Sequence, residues 1–399
     1  MRVPAVAISY FESATKKESP MIRSRFLVPL VLIVLPVLLQ AGEPFRYPEG
    51  KYGAGELKHI NGIPVLVLSG TPQEVGEQTG TVTKTAITRA TTYLNTLLKE
   101  FRLEASLPWM VRVANGMTRQ FPPDHLAEAE AAIKAGGFDR DLVIVANCLW
   151  DIKKLGCSTL YVGSERSATG VPLLGRNFDF PNLGSLYEIT LVTVYRINGK
   201  RAFASVGFPG LVGCISGLND AGLAIATLDV DSTADGSISF DLAGTPMALT
   251  FRRIMEECAT VDEAEKLLRA AKRTTRLNLA VCDKRGGAVF ELTPKSVAVR
   301  SPEQGLCVCT NHFRTKGMAT DLQCRRYDIL MKSCELEKLS MQDLAKHLHL
   351  ANQGDDTIQT MVFEPASLKL HLAFGKGPST ALPLKMLELD TLLVKEKAK

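Results

Sequence analysis

Histidine is scarce in this chain: six among 399 residues. A Ser–His–Asp or Cys–His site must therefore take its base from His59, His125, His312, His347, His349 or His371. His347 and His349 stand two apart in a helical stretch and do not face each other. No GxGxxG marks a strand–helix turn, and neither a Walker A loop nor HExxH occurs. The GxSxG nucleophile elbow is missing as well. There is no CxxC and no Cys/His ligand cluster, so neither a metal nor another cofactor is expected. Net charge is only +5 and no Lys/Arg run dominates, which leaves nucleic-acid binding without an electrostatic footprint.

What is present reads as globular. Apolar residues make up 46% and charged residues 22%, enough for a sizeable core in one large or two ordinary domains. Residues 26–39, FLVPLVLIVLPVLL, follow Lys16, Lys17, Arg23 and Arg25 and precede the small Ala41 and Gly42. That is the order of a secretory signal, so export is expected, with residues 1–42 as signal peptide or membrane anchor. The stretch falls short of the ~20 residues of a spanning helix, and Pro29 and Pro36 interrupt it. Polar residues 1–20 are unusual ahead of a signal, and Met21 offers an alternative start.

Beyond a leader at 43–60 that reads as extended, IPVLVLSG (63–70) reads as a strand. Thr71, Pro72 and Glu74 then form a capping box that opens a helix running to about Phe101. Gly76 and Gly80 share one face of it and admit a close backbone. Further helices are expected at about 124–135, stopped by Gly136-Gly137, and at 141–152. Residues 43–156 thus form a largely helical segment. After Gly156 the pattern turns to short β-branched runs, read as a meander of antiparallel strands with a hairpin at Asn198-Gly199. Helices at about 246–258 and 261–272, four more strands, helices near 321–336 and 340–348 and two closing strands make the class α+β.

The nine cysteines are an odd number, and most read as buried thiols. Cys307 and Cys309 form a CxC on one face of a strand, where only His312 stands near as a further metal ligand. Cys157 differs in its setting, G-C-S-T-L-Y-V at 156–162, followed by G-R-N-F-D-F at 175–180. An N-terminal cysteine carries nucleophile and base on one residue, because its α-amine accepts the thiol proton. Such a site needs no histidine, but it requires cleavage between Gly156 and Cys157. Arg176 and Asp179 stand three apart, so on a regular strand they point to opposite faces and a bend or bulge is needed to unite them. A fixed cation favours a thiolate, and a carboxylate orients an amine.

These residues, with SGTPQEVGEQTG (69–80), TNHF (310–313), RRYDIL (325–330) and the stretch 357–378, resemble the peptidase C45 family. This family, typified by acyl-coenzyme A:6-aminopenicillanic-acid acyltransferase, lies in the N-terminal-nucleophile (Ntn) hydrolase superfamily, with choloylglycine hydrolase and acid ceramidase as more distant relatives. The resemblance covers most of residues 62–378. It implies an αββα four-layer sandwich, self-cleavage at Gly156–Cys157 by N-to-S acyl shift, and a catalytic fragment 157–399 that stays associated with the fragment before it. It places Arg176 near the thiol, Asp179 on the α-ammonium group, Asn311 at the oxyanion, and a helical Arg near the site. Asn219, in SGLNDAGLA, stands open between oxyanion donor and ordinary turn residue. Relatives often carry Ser just before the helical Arg. Here Cys324-Arg325-Arg326 leaves open which Arg faces inward, with Arg326 matching the family position. The expected substrate is a small acyl amide or thioester. Phe178, Phe180 and Tyr187 are candidates for its pocket. A lipid amidase of ceramidase or N-acylethanolamine type and a non-catalytic secreted binding protein of the same fold are the alternatives, and membrane association through 26–39 would suit the first.

Overall fold

The computed structural model describes residues 44–152 and 156–394, so the apolar stretch 26–39 lies outside the described residues. Strands β1 (Gly50–Tyr52), β2 (Gly55–Ile60) and β3 (Ile63–Gly70) pair antiparallel in succession, so the leader is two strands rather than a plain extension. Thr71 caps helix α1 (Pro72–Val82) with both bonds of the capping box. The single helix expected to reach Phe101 breaks at Thr83, and α2 (Lys84–Glu100) starts afresh. The hydroxyls of Thr79 and Thr83 bond back to the carbonyls of Val75 and Thr79. Such back-bonding bends helices.

Helix α3 (Leu107–Met117) carries breaker signals, but Pro108 falls in its first turn, where the missing N–H costs nothing. Helices α4 (Pro123–Gly136), ended by Gly137 at φ 67°, and α5 (Arg140–Ile152) agree with expectation. The close approach at Gly76 and Gly80 is against α4. A methyl group on Gly76 would stand 2.2 Å from the Glu128 carbonyl oxygen, and one on Gly80 2.3 Å from that of Ala132. Backbone yields less readily than a side-chain tip. Gly76→Ala should therefore destabilise the fold by about 1–3 kcal/mol. An unchanged urea midpoint would show that α1 and α4 tolerate separation.

The strands after Gly156 do not form one meander. β4 (Gly156–Val162) and β5 (Leu173–Asp179) belong to one sheet, and β6 (Leu191–Ile197), β7 (Phe203–Gly207), β8 (Ser216–Asn219) and β9 (Ala224–Asp229) to another. Helices α6 (Met247–Glu257) and α7 (Val261–Ala270) follow, the latter capped by Thr260. Then come β10 (Leu277–Cys282), β11 (Gly287–Leu292), β12 (Val297–Arg300) and β13 (Leu306–Cys309). Helices α8 (Arg325–Met331) and α9 (Met341–Leu350) precede β14 (Thr357–Glu364), β15 (Lys369–Phe374) and β16 (Lys385–Glu388), and the short α10 (Asp390–Leu393) ends the described chain. The larger sheet runs β1-β2-β3-β6-β7-β8-β9-β10-β11-β12 and the smaller β13-β4-β5-β14-β15-β16.

Three apolar layers hold this together. Between the sheets lie Cys157, Phe178, Leu218, Ala226, Met361 and their neighbours, joined by the apolar faces of α2 to α5. On the far side of the large sheet, Phe251, Ile254 and Leu268 of α6 and α7 pack against Phe203 and Phe290. On the far side of the small sheet, Leu330, Leu344 and Leu348 of α8 and α9 cover Leu160 and Val162. The order helix, sheet, sheet, helix is the αββα arrangement, and the class is α+β. The segment before Gly156 is no detached helical domain, because β3 pairs in parallel with β6 from Val65↔Val192 to Gly70↔Ile197. Among the described residues no helix is long and apolar enough to cross a membrane.

Candidate active site

Gly156 and Cys157 open β4, between β13 and β5. Pairing sets Cys157 opposite Phe178 and Gly156 opposite Asp179. Paired residues share a face and successive residues alternate. Cys157 therefore joins Phe178 and Arg176 on the face toward the large sheet, and Asp179 lies on the other face with Gly156.

Arg176 and Asp179 do point opposite ways, and no bulge in β5 unites them, which corrects that expectation. They bracket the Gly156–Cys157 pair from two sides instead. Arg176, fully buried, donates from Nη2 to Cys157 Sγ at 3.4 Å and from Nη1 to the Ile215 carbonyl at 2.7 Å. Its guanidinium lies 5.1 Å from the Phe178 ring centre. Asp179 receives Thr357 Oγ1 on Oδ1 at 2.6 Å, and Gln353 Nε2 (2.8 Å) and Arg326 Nη1 (3.3 Å) on Oδ2. The irregularity falls in β14, where the register shifts between Thr357 and Gln359 and brings Thr357 opposite Asp179.

Asn311 continues β13 to a point beside Cys157. Its Oδ1 accepts the Cys157 backbone N–H at 2.9 Å and Arg326 Nη2 at 2.7 Å, and its Nδ2 donates to the Asp229 carbonyl at 2.8 Å. In this uncut chain Asn311 thus meets the Cys157 nitrogen as an acceptor. Between Arg325 and Arg326 the geometry decides clearly. Arg325 is exposed, whereas Arg326 spans the Cys157 carbonyl (2.6 Å), Asp179 and Asn311.

Asn219 is not part of this group, which corrects its candidacy. Leu218 faces the inter-sheet core, so Asn219, next along β8, points toward α6. There its Nδ2 donates to the carbonyls of Met255 and Cys258, and its Oδ1 accepts from the N–H groups of Ala221 and Leu223. It is a turn and helix-end clamp. Asn177 is likewise structural, bonded to the Leu348 carbonyl and Thr360. Sequence reading missed Gln353 and Thr357. Both lie in or after a polar turn behind α9, and no local signal distinguishes them from other loop residues.

Burial pushes the Cys157 thiol up, and the Arg176 cation pulls against it. Burial also pushes the Asp179 carboxyl up, against Thr357, Arg326 and Gln353. All nine cysteines are free. Burial raises the Cys307 thiol to about 11, with Arg300 opposing. Cys324, half-buried at the N-cap of α8, is raised by burial and lowered more by His312 and Thr310, ending at about 6. His312 thus serves Cys324. Among the described residues no three His, Cys, Asp or Glu side chains cluster as a metal site would require.

An apolar cavity of about 90 Å³ lies close by, lined by Ile87, Tyr93 and Leu94 of α2 and by Phe180, Leu186 and Phe208. Phe178, the strand partner of Cys157, packs 6.1 Å from the Phe180 ring and 6.0 Å from that of Phe208. Tyr187 and Phe178 do not line it.

Residues 166–378 match the profile of the acyl-coenzyme A:6-aminopenicillanic acid acyl-transferase family, and the chain belongs to that family. The match brings in Arg176, Asp179, Asn311, Arg326 and Gln353 and starts after Cys157. An uncharacterized protein of Archaeoglobus fulgidus is 26% identical over 274 residues, 60% of this chain and 45% of that protein. The chain thus spans less than half of that relative's length. Among solved structures, a variant of the conjugated bile acid hydrolase from Clostridium perfringens is 14% identical, covering 60% of this chain and 95% of that one, with a TM-score of 0.46. The Caenorhabditis elegans ortholog of N-acylethanolamine-hydrolyzing acid amidase gives 17%, 58%, 100% and 0.42. Penicillin V acylase from Agrobacterium tumefaciens gives 13%, 56%, 84% and 0.39. The family is described by an acyl-transferase.

Proposed function

We propose that the protein is a self-processing amidohydrolase or acyltransferase with Cys157 as nucleophile. One observation carries the reading. Arg176 and Asp179 of β5, Asn311 beyond β13 and Arg326 of α8, from three separate places in the chain, converge on the two residues Gly156 and Cys157. In processing, Cys157 Sγ attacks the Gly156 carbonyl carbon, the C–N bond breaks, and the thiol proton passes to the departing nitrogen. Water then hydrolyses the Gly156 thioester, releasing a carboxylate and regenerating the thiol. The freed α-amine, held by Asn311 and Asp179, takes the thiol proton in turnover. Sγ attacks the substrate carbonyl, the amine or thiol leaves with that proton, and water or an amine collects the acyl group.

The cavity beside Phe180 and Phe208 favours an apolar acyl group on the substrate. The lipid-amidase alternative is the long-chain end of the same reading, and rates across N-acyl chain lengths separate the two. Export through residues 26–39 and lasting association of the two fragments belong to this proposal too. Intact mass of the expressed protein tests its core. We expect two chains divided between Gly156 and Cys157. A protein that stays full length yet hydrolyses amides would sink the processing mechanism.

A further inference from the structure

We propose that Gln353 is a positioning residue for this site, and that it is the reason position 156 holds glycine. The inference rests on the processing reading above. Gln353 follows α9 in an exposed loop and is itself exposed. Its amide nevertheless turns inward, and Nε2 donates to Asp179 Oδ2 at 2.8 Å. Its backbone N–H donates to Thr357 Oγ1 at 2.7 Å, and the same hydroxyl donates to Asp179 Oδ1 at 2.6 Å. One short loop therefore holds both carboxylate oxygens of Asp179. The loop is itself tied to the end of β5, through Phe180 N–H on the Asp356 carbonyl and Asn182 N–H on Asp356 Oδ1.

The same amide covers Gly156. A Cβ built there would stand 2.1 Å from Gln353 Nε2 and 3.2 Å from Asp179 Cβ. Gly156 opens the extended strand β4. Its need for glycine is one of space. A methyl group would push the Gln353 amide aside, and the flexible side chain would move at the expense of its bond to Asp179. Position 156 and Asp179 thus communicate through Gln353. After processing, the amide keeps the carboxylate aimed at the place where the α-amine stands.

The test measures cleavage rates of freshly folded full-length protein against pH. Gln353→Leu keeps the bulk and removes the donor. A hydrogen bond to a charged group is at stake, so we expect cleavage at least about tenfold slower at neutral pH. Losing a donor raises the pKa of Asp179, so the fall in rate that follows protonation of Asp179 should begin at higher pH, while the rise carried by the Cys157 thiol stays. A uniform drop at all pH values would mean general loss of structure and would overturn the positioning role. A second comparison uses Gly156→Ala with and without Gln353→Ala. The methyl group should slow cleavage markedly in the natural background and by less than about threefold where the amide is already gone. Equal slowing in both backgrounds would overturn the link to position 156. Cleaved wild type with unaffected Gln353→Leu refutes this inference alone, and uncleaved wild type refutes the processing reading.

Discussion

Cys157→Ala should leave the chain uncut and lower amide turnover by a factor on the order of 10⁴ or more. Two losses combine in that number. On the proposed mechanism the variant has no nucleophile, and without the cut it never exposes the α-amine that would serve as base. The fold should survive. Cys157 is fully buried, but the change removes one sulfur atom, and Arg176 keeps its bond to the Ile215 carbonyl. Thermal unfolding separates inactivity from misfolding, and a variant that melts within a few degrees of wild type while staying at full mass is the expected result. Cleavage of wild type should also accelerate as pH rises from about 6 to 9. Burial holds the Cys157 thiol above its ordinary value despite Arg176, so the reactive thiolate grows with pH. A Cys157→Ala protein that still splits at this bond, or still turns over amides, would transfer the chemistry to another residue.

The parts of this site that sequence reveals are the local ones. Gly156-Cys157 and the Arg176–Asp179 pair sit on strands whose limits are marked by turns, and the capping box at Thr71 is a three-residue pattern read directly. Which sheet a strand joins is a long-range matter. β4, β5, β8 and β9 are buried on both faces, so alternation does not say which side meets which layer. That is why Asn219 stands open between donor and turn residue on paper and turns out to face α6 as a turn residue. Sequence leaves open which of Arg325 and Arg326 turns inward, with Arg326 matching the family position, and the helix that starts after Cys324 turns Arg326 to the site. Gln353 had no sequence signal at all, because its importance comes from a glycine and an aspartate more than 170 residues away.

Arg252→Met should destabilise the protein by about 3–5 kcal/mol, through the loss of one partner from a buried ionic network. Arg252 on α6 donates to both carboxylate oxygens of Glu128 on α4, at 2.9 and 2.6 Å, and to Glu256 at 2.8 Å. It also donates to the Val212 carbonyl and lies 4.6 Å from the Tyr195 ring centre. His125 of α4 meets Glu256 at 3.1 Å, and all four side chains are buried. Burial pushes the Glu256 carboxyl up, but Arg252 and His125 outweigh it and hold it at about 2. A carboxyl depressed in the folded state adds stability above its unfolded pKa, and that stability is lost as pH falls toward 2. Burial and Arg252 together push His125 down, so its contribution is present above its unfolded pKa and lost below it. Removing Arg252 reverses the sign for Glu256, which then favours its proton in the fold. The destabilisation by Arg252→Met should therefore grow as pH rises from about 5 to 8, and urea midpoints across that range measure it. A constant or shrinking difference would show that the network does not hold Glu256 as an anion. Replacing Glu128 and Glu256 by Leu alongside should recover much of the loss, since the penalty lies in charges left without a partner. The network also crosses the Gly156–Cys157 boundary, with Glu128 and His125 before it and Arg252 and Glu256 after it. In a cut chain the same substitution should let the two fragments part at lower urea, a separation that size-exclusion chromatography reads directly.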